Sequence, residues 1–290
     1  MLDAISLRNN EDLFYNISNI KDKNAVNTIL KIYFQELENN LANKSGRVPA
    51  KVVIYSEPDE RGSTNPSYNY ANNELKIFYP NKCKPIEYLM TLHHESEHAD
   101  QNLSPLKTND QKILYQISKA LYVLPKSDIH NLPLGYRCNY KELEAKLREV
   151  RFLIESYKKI KERDETLSFA KGRYYRQVFK YARQSLENRM PHDIRKLMLV
   201  HLMLVHYDRY RKAPVKDMEK KDIVNFLLKK APKLYKEISK QIISAYKELK
   251  KIEKELEVYS PEKIKNTLKK IEDERLKELN KLCQHPKVKK

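Results

Sequence analysis

Two histidines flank a glutamate within a five-residue string, His94-Glu95-Ser96-Glu97-His98. Residues four apart on a helix share one face, so His94 and His98 can both direct an imidazole at one metal ion. Glu95 then lies beside that ion, where its carboxylate can act as a base towards a water molecule. A pair of metal ligands with an adjacent base is typical of metal-assisted hydrolysis.

The segment around this string is predicted to be an amphipathic helix. Pro85 can occupy the first helical position, because the proline ring fixes φ near the helical value. Apolar residues follow at helical spacing, at Ile86, Leu89, Met90 and Leu92. We therefore expect a helix over about residues 85–101, and this setting favours a metal site over a surface helix whose side chains align by coincidence.

A zinc site needs a third protein ligand, and catalytic sites keep a further position open. Among the later histidines, His130 lies in a loop-like stretch, and His192, His201 and His206 lie more than ninety residues beyond His98. A better source is the helix that opens at residues 139–145, because it offers two carboxylates, Glu142 and Glu144.

Helical geometry separates these two carboxylates. Glu142 shares a face with Ala145, which allows a close approach of the histidine-bearing helix, and with Glu149, which can support a ligand. Glu144 shares its face with two arginines, which are unfavourable beside a dication. Glu142 is therefore the preferred third ligand, with Glu144 as the alternative.

These features resemble a known family. A helix with H-E-x-x-H, followed by a second helix with Glu142-Leu143-Glu144-Ala145, is similar to the gluzincin metallopeptidases, and most of all to the small zincin domains of phages and bacterial mobile elements, including the ImmA/IrrE type. The resemblance covers about residues 25–160. It implies a peptidase for protein or peptide substrates in which Zn²⁺ is bound by both histidines and Glu142, with Glu95 as the general base.

The elements before the string fit the same architecture. Residues 51–56 read as a buried strand, and residues 67–70 and 74–79 read as two arms of a hairpin joined by a turn at 71–73. A preceding amphipathic helix is marked by Val26, Ile29, Leu30, Tyr33, Phe34, Leu37 and Leu41.

The second arm of the hairpin leads directly to the histidine-bearing helix. In zincins an edge strand beside that helix pairs with extended substrate, and the resemblance assigns this role to Leu75, Ile77 and Tyr79. The alternative is an ordinary capping hairpin. A donor for the oxyanion is also needed, and Tyr136 and Tyr140 lie near the third ligand, with His130 as a weaker option.

Charge divides the chain into two parts. Residues 1–150 contain 19 basic and 19 acidic residues, so the net charge of +18 falls wholly after residue 150. Glycines and strand-like alternation also become rare there. The fold class is therefore predicted as α+β, with a zincin-like metallopeptidase domain at residues 1–160 followed by a basic, all-helical domain at residues 161–290.

The second part is predicted to end in a helical hairpin with coiled-coil-like packing, because Leu234–Leu256 and Ile264–Leu279 carry apolar residues in steps of three and four. Between residues 166 and 190, tyrosines alternate with Arg173, Arg176, Lys180 and Arg183. This region could bind nucleic acid or an acidic partner, or serve only solubility. The alternative function is thus a scaffold that binds nucleic acid or protein, with a zincin domain of little or no activity.

The remaining composition favours a reducing compartment. The three cysteines, Cys83, Cys138 and Cys283, form no C-x-x-C pair and suggest no disulfide framework. The chain opens without a basic, apolar leader, and no stretch is long and apolar enough for a membrane span. We therefore expect a cytoplasmic protein with no membrane contact.

Overall fold

The computed structural model describes residues 23–55, 66–78, 85–119, 139–162, 169–187, 189 and 218–283. These residues are mostly helical and include one small mixed sheet, which confirms the α+β class. None of the helices in these ranges combines the length and apolar composition that a membrane crossing requires.

The helices and strands predicted around the two motifs are present. The histidine-bearing helix begins at Pro85 as expected, and Asn139 caps the next motif helix, since its Oδ1 accepts a hydrogen bond of 3.0 Å from the Lys141 amide. In chain order they are α1 (Lys23–Lys44), β1 (Lys51–Tyr55), β2 (Ser67–Asn69), β3 (Glu74–Phe78), α2 (Pro85–Leu103), α3 (Asn109–Lys119), α4 (Tyr140–Glu162), α5 (Phe169–Glu187), α6 (Lys220–Lys229), α7 (Ala231–Glu255), a 3₁₀ turn (Leu256–Tyr259) and α8 (Pro261–Cys283).

The sheet has the order β1-β3-β2, and this corrects the predicted substrate strand. β3 pairs with β1 in parallel and with β2 antiparallel, so it has no free edge. Leu75 and Ile77 are fully buried in the core between the sheet, α1 and α2. They cannot bind substrate as residues of an edge strand, and Tyr79 lies outside the described residues. β2 lies at one edge of the sheet and contacts α2.

Two hydrophobic clusters hold the motif helices. The first lies between α1, the sheet and α2, and the second lies among α3, α4, α5, α6 and α7. Helix α4 packs along α2 on one side and against α7 on the other. The core of the helical part thus continues across residue 160, and the division into domains at 1–160 and 161–290 stays a prediction.

Helix α8 does not form the expected coiled coil. Leu268, Ile271 and Leu276 remain exposed, and within the described part of the chain α8 mainly contacts the 3₁₀ turn. The reason lies in α7, whose apolar stripe from Tyr235 to Ile252 is buried against α4 and α5. This buried stripe of α7 is therefore not available to α8. Ser260 caps the start of α8, because its Oγ accepts a hydrogen bond of 3.3 Å from the Lys263 amide.

Candidate metal centre

Helix α2 places both histidines on the side that faces α4. The rings of His94 and His98 stand almost perpendicular, at 87°, with their centres 5.1 Å apart. Both side chains are buried, as expected for residues one turn apart on a helix that is covered along its length. Ala145, which lies on the same face of α4 as Glu142, is fully buried.

Glu142 completes the group from the first turn of α4. Its Oε2 lies 3.4 Å from His94 Nε2, and its Oε1 lies 3.3 Å from His98 Nε2. One ligand atom from each of the three residues lies within 4.8 Å of the others, so the group could hold a metal ion. Two donors bound at about 2.1 Å to one tetrahedral zinc ion are about 3.4 Å apart, which fits these distances.

The far nitrogen of each imidazole also lies close to a polar side chain. His98 Nδ1 lies 3.0 Å from Gln101 Oε1, and the Gln101 amide nitrogen donates to the Lys141 carbonyl oxygen at 2.8 Å. The amide oxygen must therefore accept from Nδ1, which leaves Nε2 of His98 facing Glu142. His94 Nδ1 lies 3.3 Å from Glu149 Oε2, and the Lys146 ammonium holds the other oxygen of Glu149 at 2.6 Å. Such outer contacts fix the tautomer and orientation of metal-binding histidines.

The electrostatics of the group favour a positive charge at its centre. Burial alone would lower the pKa of His94, but contacts with Glu142 and Glu149 outweigh it and raise the pKa to about 10. Burial alone would raise the pKa of Glu142, but hydrogen bonds with both histidines bring it well below its usual range. The site therefore keeps Glu142 ionised and stabilises a cation beside it.

Glu95 lies next to this group and faces a cavity of about 520 Å³. Its side chain is buried, and this burial raises its pKa, while His94 and His98 lower it. A hydrogen bond from the Tyr68 backbone on the edge strand β2 also lowers the pKa of Glu95. A carboxylate of raised pKa in a cleft is suited to accept and release a proton.

Tyr70 is a site residue that the sequence did not indicate. It follows β2, and its hydroxyl contacts the ammonium group of the buried Lys141. The pKa of Tyr70 is raised by burial and by the nearby carboxylates of Glu142 and Glu95. The phenol thus stays protonated and can donate a hydrogen bond close to the cluster of His94, His98 and Glu142. No sequence signal marks it, because its approach to α4 depends on the sheet order.

The cavity has walls from both parts of the chain. Its lining includes His94 and Glu95 on α2 and Pro66 just before β2. It also includes residues of α5 and Arg189, whose Nη1 lies 3.9 Å from Glu142 Oε2. The basic helical half therefore contributes directly to the cleft that contains the proposed ligands.

The other candidates lie elsewhere. Glu144 does not reach the histidines, because it contacts Lys107, Gln111 and Tyr115 on the far side of α4. Tyr140 is buried in the helical core against Tyr115 and Tyr235. Tyr136 and His130 lie outside the described residues, as do His192, His201 and His206.

The chain matches no family model, no curated protein and no solved structure. The functional argument therefore depends on the geometry of the site.

We predict that Glu142→Gln weakens zinc binding at least about 100-fold, whereas Glu144→Gln weakens it less than about tenfold. The two changes are chemically identical, and both residues lie near the start of α4. They differ in that Glu142 faces the two imidazoles and Glu144 faces Lys107 and Tyr115. Competition with a zinc chelator measures both affinities. The reverse order would move the third ligand to Glu144.

Proposed function

We propose that the protein is a zinc-dependent metallopeptidase that hydrolyses a peptide bond of a protein substrate. The observation that supports this most is the convergence of His94, His98 and Glu142, with Glu95 beside them on an open cavity. Two imidazoles and one carboxylate form a ligand set that is typical of catalytic zinc. When bound, zinc would polarise the scissile carbonyl and lower the pKa of the attacking water.

The chain's own residues would move the proton and stabilise the charge. Glu95 takes a proton from the attacking water and delivers it to the leaving nitrogen, for which its raised pKa is suited. Tyr70 donates a hydrogen bond to the carbonyl oxygen as negative charge develops there, and the ammonium group of Lys141 strengthens this donor. Tyr70 replaces Tyr136 and Tyr140 as the proposed oxyanion donor.

The edge of the sheet offers a place for the substrate backbone. Within the described ranges of the chain, β2 pairs with β3 on one side only, and the helix that carries His94 and His98 lies against it. An extended peptide could add to the free edge of β2, in the manner that the zincin resemblance implies for another strand. The proposal is therefore a zincin-like arrangement in which β2, rather than Leu75–Tyr79, holds the substrate.

The described part of α5 gives less support to the nucleic-acid alternative. Arg176 pairs with Glu257, and Arg183 pairs with Glu253, so two of the four basic residues are engaged within the protein. Tyr175 and Phe179 are buried in the core. Their spacing is thus explained by the packing of α5, and a binding role for this region stays a prediction.

The direct test combines metal analysis with a cleavage assay. The purified chain is expected to carry about one zinc ion and to cleave some members of a random peptide library, detected by mass spectrometry. A chelator should abolish cleavage, and added zinc should restore it. A chain without bound metal, or cleavage that survives complete zinc removal, would overturn the proposal.

A further inference from the structure

The outward face of α7 carries a continuous row of lysines, which we call the lysine face. The helix contains seven lysines, and all seven are exposed. At 3.6 residues per turn they fall within an arc of about 100°, opposite the apolar stripe that is buried against α4 and α5. The row extends over about 32 Å of the helix axis. Its members are Lys233, Lys236, Lys240, Lys247, Lys250, Lys251 and Lys254.

The acidic residues of α7 lie beside the lysine face and not within it. Glu248 and Glu255 form ion pairs with lysines of α4, and Glu253 pairs with an arginine of α5. The fourth acid of the helix, Glu237, lines a cavity together with residues of α4. Within the described ranges, the seven lysines take part in no ion pair. Their positive charge is therefore directed to solvent, and it is not neutralised by neighbouring carboxylates.

A straight row of positive charges is complementary to a polyanion whose charges are regularly spaced. Double-stranded nucleic acid carries one phosphate charge per about 1.7 Å of its axis, so a row of about 32 Å spans roughly one turn of the duplex. Lysine binds a phosphate as a flexible point charge, and phosphate contacts carry no sequence information. The lysine face therefore fits the backbone of a duplex of any sequence.

Two other partners fit this face less well. A helix that binds a membrane surface inserts its apolar side into the lipid, and the apolar side of α7 is buried in the core. Single-stranded nucleic acid is bound largely by stacking of its bases on aromatic rings. Of the two tyrosines of α7, Tyr235 is fully buried, and Tyr246 is half-buried beside Arg183 of α5.

We infer that the lysine face of α7 binds the phosphate backbone of double-stranded nucleic acid without sequence preference. This surface is distinct from the segment of α5 in which tyrosines alternate with basic residues, since Arg176 and Arg183 of that segment are engaged in ion pairs. The inference does not rest on the proposed peptidase function, because no residue of α7 lines the cavity that contains Glu95. The chain would then bind nucleic acid and carry out hydrolysis on separate surfaces.

The test is the salt dependence of binding to a fluorescein-labelled DNA duplex of mixed sequence and about 20 base pairs, measured by fluorescence polarisation between about 50 and 200 mM salt. The full chain should bind the duplex with a slope of log K against log salt concentration of about −4 to −6. The variant with Lys236→Gln, Lys240→Gln, Lys247→Gln and Lys254→Gln should bind at least about 30-fold more weakly at about 100 mM salt, and the slope should lose about 3 of its magnitude. The slope counts phosphate contacts, so it separates a lost contact from a general loss of folded protein.

The matched control removes the same charge from four exposed lysines of α8, by Lys263→Gln, Lys265→Gln, Lys269→Gln and Lys270→Gln. These four residues are spread around their helix, so they form no row. The control should change the affinity less than about threefold and leave the slope within about 1 of the wild-type value. Lys→Arg changes at the four positions of α7 keep the charge and should retain wild-type binding.

Three results would overturn the inference. The first is equal weakening in the α7 and α8 variants, which would show that binding follows the total charge of the chain. The second is a loss of affinity in the four Lys→Arg changes as large as in the Lys→Gln variant, which would show that the fold and not the charge had been disturbed. The third is a wild-type chain that binds vesicles containing phosphatidylserine but not the duplex, which would assign the lysine face to a membrane surface.

Discussion

Replacing Glu95 by glutamine is expected to lower kcat by about 10²–10⁴-fold while leaving one zinc ion per chain. The glutamine side chain has nearly the same shape but cannot accept the proton of the attacking water. The three proposed ligands stay in place, because Glu95 is not among the atoms that converge on the metal group. Metal content by atomic emission and cleavage of one identified peptide measure the two properties in the same sample.

The control for this variant is Glu155→Gln, which makes the same substitution at an exposed position on α4. It should keep both metal and activity. Loss of zinc from the Glu95 variant would indicate that Glu95 is a ligand instead of a base. Full activity with bound zinc would show that another group takes the proton.

The cluster of His94, His98 and Glu142 could be predicted from the sequence because it depends mainly on helix periodicity. His94 and His98 are one turn apart, and the faces of α4 separate Glu142 from Glu144 by spacing alone. Both arguments need only local geometry. The structure agrees with them, since Glu142 faces the two imidazoles and Glu149 supports His94.

Helix α3 was not predicted, although its sequence carried a signal. Thr108 and Gln111 form a reciprocal cap, in which Gln111 Oε1 accepts from the Thr108 amide at 2.9 Å and Thr108 Oγ1 accepts from the Gln111 amide at 3.2 Å. This is the S/T-x-x-E/Q pattern of helix starts. The helix matters to the site because Gln111 and Tyr115 bind Glu144 and hold it away from the histidines.

The sheet order and Tyr70 could not be predicted, because both depend on contacts that are distant in sequence. A hairpin pattern indicates that β2 and β3 pair, but it does not show on which side β1 joins them. β1 pairs with β3, which removes the free edge expected for Leu75 and Ile77 and leaves β2 beside α2. The same order brings Tyr70 to Lys141, 71 residues further along the chain.

A second large effect is expected at Arg47, which lies outside the site but holds its helix. The guanidinium binds Glu38 on α1 at 2.5 Å, and it binds Asp100 and Ser96 Oγ on α2, the latter at 2.8 Å. Ser96 lies between the two histidines in sequence, and Asp100 follows them by two residues. Arg47 therefore ties the motif helix to α1 through groups that are almost entirely buried.

Arg47→Ala is predicted to lower the free energy of unfolding by about 3–5 kcal/mol, because it leaves Glu38 and Asp100 buried without their shared cation. Urea denaturation of the full chain at neutral pH measures this change. The control is Lys51→Ala, which removes an exposed ion pair of 3.1 Å with Glu74 and should cost about 0–1 kcal/mol.

The pH dependence gives an independent check on the same network. Burial alone would raise the pKa of Asp100, but Arg148, Ser45 and Arg47 outweigh it and lower the pKa below the ordinary value of 3.8. A lowered pKa in the folded state adds stability above pH 3.8, and this contribution is lost as the pH falls through the folded-state pKa. Without Arg47, Asp100 loses one of the groups that lower its pKa, so it takes up a proton at a higher pH. The difference in the free energy of unfolding between the wild type and Arg47→Ala should thus be largest near neutral pH and shrink towards pH 3. A difference that stays constant over this range would show that lost packing, and not charge, dominates the effect.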